Sequence, residues 1–108
     1  MAQTPKKAFA NVAASQTDSS IVAAVALKAI RVVSCFMVTG ATATNVTFNS
    51  KGSGAGTAIT SLIADAANGG AVLNYNPEGW FSTVPGEALT VTTGAGSATG
   101  INVSYVEI

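Results

Sequence analysis

Short runs of alternating apolar and polar residues, separated by turn residues, cover most of the chain. The clearest runs lie at 45–49 (NVTFN), 88–93 (ALTVTT) and 100–108 (GINVSYVEI), where Val, Phe, Leu or Ile alternate with Asn, Ser or Thr. A period of two residues predicts strands with one buried face, and turns about every 8–12 residues are typical of an all-β sandwich or barrel.

This pattern predicts one all-β domain, a single antiparallel β-sandwich of seven or eight strands over residues 19–108. Eight strands would allow a jelly roll. Residues 1–18 are small and polar and end in SQTDSS. We interpret them as an N-terminal arm or a short leading strand, in which Phe9 and Val12 could lie along a surface.

The stretch 30–38 (IRVVSCFMV) departs from simple alternation, because both of its faces are apolar. Strict alternation separates it into two sets, which are Ile30, Val32, Phe36 and Val38 on one side and Arg31, Val33, Cys35 and Met37 on the other. An antiparallel sandwich strand usually leaves one face to solvent. We therefore predict that the second set is covered by the N-terminal arm or by a neighbouring subunit, which makes its four residues candidates for an assembly interface.

The stretch 57–68 (TAITSLIADAAN) allows two interpretations. Its apolar residues Ile59, Leu62, Ile63 and Ala66 have helical spacing, with Asn68 and Gly69 as a possible C-cap. The alternative is a brief strand at 57–60 followed by a loop. We favour the strand and loop because the rest of the chain has β periodicity, and the short helix stays open.

Composition narrows the classes of partner. Five Lys/Arg balance five Asp/Glu, and only 9% of residues are charged. A chain without net charge lacks the basic surface that neutralises phosphates, so we expect no nucleic acid. The apolar segment 21–38 carries Lys28 and Arg31 near its middle, which disfavours a membrane span.

Candidate chemistry is sparse. The chain has no His and one Cys, Cys35, so we expect no catalytic residues, no cofactor, no metal ligands and no enzyme activity. The glycine loop KGSGAG at 51–56 lacks the spacing of a phosphate-binding loop, and we interpret it as a flexible hairpin loop. Asp65, Glu78 and Glu87 are interpreted as solvated turn carboxylates.

The pair Trp80-Phe81 follows the turn Asn76–Gly79, in which Pro77 and Gly79 suit a β-turn. We predict that this turn orients Trp80 into the core between the two sheets. The alternative is a carbohydrate-binding module, in which Trp80, Phe81 and Tyr75 would form a stacking rim.

The sequence also resembles small β-sandwich virion proteins of tailed bacteriophages over about residues 18–108. The similarity follows the order IVAAVALKAIRVVS, NVTFNSKGSGAGTAIT, AANGGAVLNYNPEGWFSTVPGEALTVTTG and GINVSYVEI, and is most distinctive in ANGG, GWF, GEAL and the final YVEI. These are turn and core motifs rather than catalytic ones. The resemblance therefore implies a role in assembly.

Among such proteins, several decorate or cement capsids, often as trimers, and others form parts of tails or fibres. The expected function is a capsid decoration or cement subunit that bridges capsomers, with a tail or fibre subunit as the alternative. The expected partners are other copies of the chain, in a trimer, and the major capsid protein or another virion protein. The expected location is the virion, assembled in the host cytoplasm.

Overall fold

The structure, a computed structural model, describes residues 4–108. That range contains ten strands and no helix. The strands are β1 (Lys6–Val12), β2 (Ser19–Val22), β3 (Ile30–Thr39), β4 (Thr44–Lys51), β5 (Thr57–Ala58), β6 (Ile63–Asp65), β7 (Gly70–Leu73), β8 (Phe81–Ser82), β9 (Ala88–Thr93) and β10 (Thr99–Glu107).

The strands form two antiparallel sheets packed face to face. The first sheet has the order β1-β10-β3-β7, with β8 also paired to β3, and the second has the order β2-β9-β4-β5, with β6 also paired to β4. The first half of the chain therefore pairs with the second half as a long hairpin, β1 with β10 and β2 with β9. The hairpin is rolled up, so that β10 also pairs β3 and β9 also pairs β4.

This topology confirms the predicted all-β antiparallel sandwich and has the jelly-roll form. The predicted count of seven or eight strands is lower than the ten observed. Two positions of the roll are each divided between two short strands, because β5 and β6 both pair β4 and β7 and β8 both pair β3. Eight positions thus hold ten strands.

The predicted N-terminal arm contains a strand of the sandwich. β1 pairs β10 over its full length, from Lys6 opposite Tyr105 to Val12 opposite Thr99. Val12 is buried in the core, while residues 1–3 of the predicted arm lie outside the described residues. The leading-strand interpretation is therefore the one observed over Lys6–Val12.

The core lies between the two sheets and is built from one face of each long strand. The apolar side of β4, β9 and β10 is buried, as predicted. The polar side is not fully solvated as expected, because Asn49 on β4 and Thr90 on β9 are also buried. The buried apolar cluster comprises Val12, Ile21, Val22, Ile30, Val32, Cys35, Met37, Val46, Phe48, Leu89, Val91, Ile101 and Val103.

Strand β3 does not keep one alternation along its length. Val32 pairs with Tyr105, and Ser34 pairs with Ser104. Tyr105 and Ser104 are consecutive on β10, whereas Val33 lies between Val32 and Ser34 on β3. Val33 is therefore an extra residue without a partner on β10. Such a bulge changes which residues face the core. Val32 is in the core cluster before the bulge, and Cys35 and Met37 are in it after the bulge.

The predicted assignment of faces in 30–38 is therefore corrected. Phe36 and Val38, which strict alternation grouped with Val32, are exposed. Cys35 and Met37, which it grouped with Arg31, belong to the core. The physical reason is the bulge. Sequence periodicity does not reveal the bulge, because its position depends on how β3 pairs with β10.

The stretch 57–68 contains no helix. It begins with β5, continues as a loop, and contains β6, and both strands pair with β4. Asn68 follows with a φ of 57°, a conformation that Asn tolerates better than most residues. The strand-and-loop interpretation is confirmed in outline, with a second short strand in place of part of the loop.

Candidate functional site

The outer face of the first sheet carries a row of exposed apolar side chains. In register across four strands lie Phe9 on β1, Asn102 on β10, Phe36 on β3 and Val72 on β7. Their apolar members are 78%, 52% and 72% exposed, in that order. Strand spacing makes the row about 14 Å long. Together with exposed Val38, the residues Phe9, Phe36 and Val72 form what we call the outer apolar patch.

The sheet around the patch has small neighbours, so its large side chains stand above the surface. Val38 lies opposite Gly100 on one side and Gly70 on the other. An added side-chain carbon at Gly70 would overlap the backbone of Met37, which explains why no side chain stands there. Four large apolar groups on one sheet face are typical of a contact surface rather than of scattered exposure.

A shallow groove runs over β10 between Phe9 and Phe36. Its volume is about 260 Å³, which is below the roughly 300–1,000 Å³ of small-molecule sites. It is lined by Lys7, Ala8, Phe9, Ser34, Phe36, Asn102, Val103 and Ser104. The groove therefore suits one or two inserted side chains, with aromatic walls and a polar floor.

The residues predicted as an assembly interface lie elsewhere. Cys35 and Met37 are in the core, and Val33 is buried at the bulge. The loop after β7 lies along this stretch, because the Asn76 N–H donates to the Val33 carbonyl at 2.8 Å. Arg31 is half-buried, and its side chain contacts Gly79 so closely that any side chain there would collide with it. Three of the four residues are therefore inaccessible to a partner.

The aromatic residues after the Asn76–Gly79 turn are also rearranged. Trp80 is 47% exposed, so the prediction that it enters the core is wrong. Its indole N–H donates to the Asn74 carbonyl at 2.7 Å, which holds the ring over the loop. Phe81 packs against the core instead, with its ring centroid 4.8 Å from that of Phe48. The proposed three-ring carbohydrate rim is thereby reduced to Trp80 and Tyr75.

The carboxylates do not form a catalytic pair. Asp65 pairs with Thr44 at the start of β4, whereas Glu87 accepts a 2.7 Å hydrogen bond from Ser50 near the end of the same strand. Glu78 lies exposed in the turn before Trp80. Across residues 4–108, no three His, Cys, Asp or Glu side chains come together as a metal site.

The Cys35 thiol is buried in the core. Burial, with a smaller effect from the charge of Asp65, raises the pKa of Cys35 to about 12. A thiol with that pKa stays protonated at neutral pH, and the thiolate is the reactive form. Cys35 therefore acts as a small apolar core residue.

Asp18 organises the glycine loop at 51–56. Its carboxylate accepts hydrogen bonds from the Gly56 N–H at 3.0 Å, Thr90 at 3.0 Å and Asn49 at 3.2 Å. A side chain at Gly56 would collide with this carboxylate. The hydrogen bond from Gly56 is the main reason that the pKa of Asp18 is lowered. The Gly56 N–H of this loop is thus already hydrogen-bonded within the chain.

Asp65 is the buried carboxyl group of the fold. The Thr39 hydroxyl donates a hydrogen bond of 3.2 Å to Asp65 Oδ2. The same hydroxyl oxygen of Thr39 lies 3.2 Å from the hydroxyl oxygen of Thr99. Burial raises the pKa of Asp65, against the smaller opposing effect of the Thr39 hydrogen bond. The expectation of a solvated turn carboxylate is therefore corrected for Asp65, which is 4% exposed.

Asp65→Asn should stabilise the protein at neutral pH by about 1 kcal/mol, because the amide removes the need to bury a charge. Burial raises the pKa of Asp65 in the folded state, so protonation of Asp65 stabilises the fold. This stabilisation is fully present below the ordinary aspartate pKa. That contribution is lost as the pH rises through the raised value. Urea unfolding of the wild type and variant between pH 3 and 8 measures the difference.

Asp18→Asn is the matched control with the opposite expected sign. The pKa of Asp18 is lowered, so its contribution is present above the ordinary aspartate pKa and is lost as the pH falls through the lowered value. The variant should therefore be less stable at neutral pH. Equal pH profiles for wild type and Asp65→Asn would show that Asp65 is solvated.

Comparison of the chain with protein-family models, with curated proteins and with solved structures finds no match. Among the described residues, no helix is long and apolar enough to cross a membrane.

Sequence reasoning did not identify Phe9 and Val72 as members of one surface with Phe36. A signal was present for Phe9, which alternates in phase with Lys7 and Asn11 rather than with Val12. Because Val12 belongs to the core, a strand at this position places Phe9 on the solvent side. No local signal joins Phe9 to Val72, since 63 residues separate them.

Proposed function

We propose that the chain is a structural virion subunit of a tailed bacteriophage, of the capsid decoration or cement type. The outer apolar patch is the observation that carries the proposal. Large apolar groups exposed on one sheet face, on a chain with no net charge, are an aggregation liability unless a partner covers them. The resemblance of the turn and core motifs to phage virion proteins supplies the kind of assembly.

The mechanism is adhesion. The outer apolar patch lies on paired strands of one sheet, so its binding does not require a flexible segment to become ordered. Burial of one Phe or Val side chain contributes about 1.5–3 kcal/mol. Several such contacts, repeated over many subunits, would stabilise a head by linking neighbouring capsomers. A tail or fibre subunit would use the same adhesion at a different place in the virion.

Phe36→Asp should weaken incorporation of the chain into particles by about tenfold or more, because it removes an apolar contact and adds an unpaired charge to the interface. The measurement is co-sedimentation of purified chain with phage heads that lack it, followed by electron microscopy. Leu62→Asp is the matched control, since Leu62 is an exposed leucine outside the outer apolar patch.

The outcomes separate the candidate functions. Density for the chain on heads favours decoration, and density on tails favours the tail alternative. A chain found only in infected-cell lysate, and never in particles, contradicts both. In that case the carbohydrate-binding alternative gains, because Trp80 and Tyr75 are exposed, and quenching of Trp80 fluorescence by oligosaccharides is its direct test.

A further inference from the structure

The turn between β6 and β7 contains the one Asn-Gly dipeptide of the chain, Asn68-Gly69. The other six asparagines precede Val, Ser, Tyr or Pro. Asparagine is thermolabile, because the backbone nitrogen of the next residue can attack its side-chain amide. Glycine leaves that nitrogen unshielded, since it carries no side chain. Asn68 is also exposed, so water reaches its amide.

The reaction at this dipeptide is deamidation. The Gly69 backbone nitrogen loses its proton to water and bonds to the side-chain carbonyl carbon of Asn68. The side-chain nitrogen takes up a proton from water and leaves as ammonia, which produces a cyclic succinimide. Water then opens the succinimide at either carbonyl carbon, and the product is aspartate or isoaspartate. The reaction consumes water, releases ammonia and requires no oxidant or cofactor.

The folded turn holds the attacking nitrogen in a hydrogen bond. The Gly69 N–H donates to the Ala66 carbonyl at 2.9 Å, and Asn68 occupies the third position of this turn with a φ of 57°. A positive φ at that position is usual for Gly or Asn. Because the Gly69 proton is engaged by Ala66, the attack requires the turn to open first.

Two further hydrogen bonds fasten the turn to the end of β3. The Asn68 N–H donates to the Gly40 carbonyl, and the Thr39 N–H donates to the Gly69 carbonyl, both at 2.7 Å. The main chain between these two bonds runs from the Asn68 nitrogen to the Gly69 carbonyl carbon. Isoaspartate directs the main chain through the former side chain and lengthens this path by one carbon. The two bonds cannot both keep their geometry after that change.

We propose that Asn68 is a deamidation site that the closed turn protects, and that isoaspartate formed there releases the β6–β7 turn from β3. The Thr39 hydroxyl also donates to Asp65 on β6. Release of the turn therefore loosens a hydrogen bond that joins the two sheets. The inference goes beyond the proposed virion role, because it depends only on bonds within one chain.

Ageing of the chain at mildly alkaline pH, both folded and in guanidinium chloride, tests the site. Peptide mapping by mass spectrometry follows the conversion of the amide into the acid. In denaturant, Asn68 should react faster than any other asparagine. In the folded chain, its reaction should be about tenfold slower or more, because the turn is mostly closed. Asn45 is exposed but precedes Val46, so it is the internal control and should stay unmodified in both samples.

The isoaspartate chain tests the release of the turn. It is prepared in denaturant, separated by ion exchange through its added negative charge, and refolded beside unmodified chain taken through the same steps. The amide protons of Thr39 and Asn68 should exchange with solvent about tenfold faster than in the unmodified chain. Asn68→Asp is the matched control, because it adds the same charge without lengthening the main chain. Its exchange rates should equal those of the wild type.

Equal reaction rates at Asn68 in the folded and denatured chains would overturn the protection. An unmodified Asn68 after ageing in denaturant would overturn the site itself. Unchanged exchange at Thr39 and Asn68 in the isoaspartate chain would overturn the release, as would equally fast exchange in Asn68→Asp. None of these measurements involves particles, so their outcome is independent of that of the virion proposal.

Discussion

Met37→Asp should abolish folding of the isolated chain. Met37 is 2% exposed, belongs to the core cluster and pairs with Ile101 and Ala71 on the neighbouring strands. A carboxylate at this position would be buried without a cationic partner, which costs about 5 kcal/mol. That value is comparable with the total stability of about 5–15 kcal/mol expected of such a domain.

Phe36→Asp is the matched control for this prediction, one residue away on the opposite face of β3. Because Phe36 is exposed, the substitution should change the free energy of unfolding by about 1 kcal/mol or less. Circular dichroism and urea unfolding of both variants decide the matter. A folded Met37→Asp with a near-wild-type midpoint would mean that strict alternation holds and that Met37 faces outward.

Phe48→Ala should lower the free energy of unfolding by about 3–5 kcal/mol. Phe48 is fully buried on β4, and its ring packs against that of Phe81 at an interplanar angle of 37°. Because the Phe48 ring fills space between the two sheets, its removal opens a cavity. The measurement is urea unfolding with the wild-type m value as reference. The variant should retain a cooperative transition at a lower midpoint.

The loss of unfolding free energy in Phe48→Ala should be compared with that in Trp80→Ala. A core tryptophan would cost as much as Phe48, but Trp80 is half-exposed and makes one hydrogen bond to the Asn74 carbonyl. We expect a loss of about 1 kcal/mol. An equal loss for the two variants would show that Trp80 supports the core, and would remove it from any carbohydrate-binding surface.

The sequence by itself determined the fold class and the positions of the longer strands. Alternation is a local property, because successive side chains of a strand point to opposite faces wherever the strand later pairs. The runs at 45–49, 88–93 and 100–108 therefore predicted the buried faces of β4, β9 and β10. The apolar character of both faces of 30–38 was equally readable from the sequence.

Two neighbouring residues, Trp80 and Phe81, show what the local sequence does not determine. Trp80 and Phe81 are adjacent, so only one of them can enter the core from an extended chain. The choice follows from the register of β8, in which Phe81 pairs with Val32 and packs on Phe48. Neither Val32 nor Phe48 is near Phe81 in the sequence. The prediction that the larger Trp80 ring enters the core was therefore wrong.

Only the tertiary structure brought the residues of the candidate site together. The bulge at Val33 exists only in the pairing of β3 with β10, and it sends Phe36 rather than Met37 to the outer face. The jelly-roll topology then aligns Phe36 with Phe9 and Val72, which lie on strands that are far apart in the sequence. Periodicity fixes the faces of one strand up to its first bulge, whereas long-range register decides which faces of different strands form a surface.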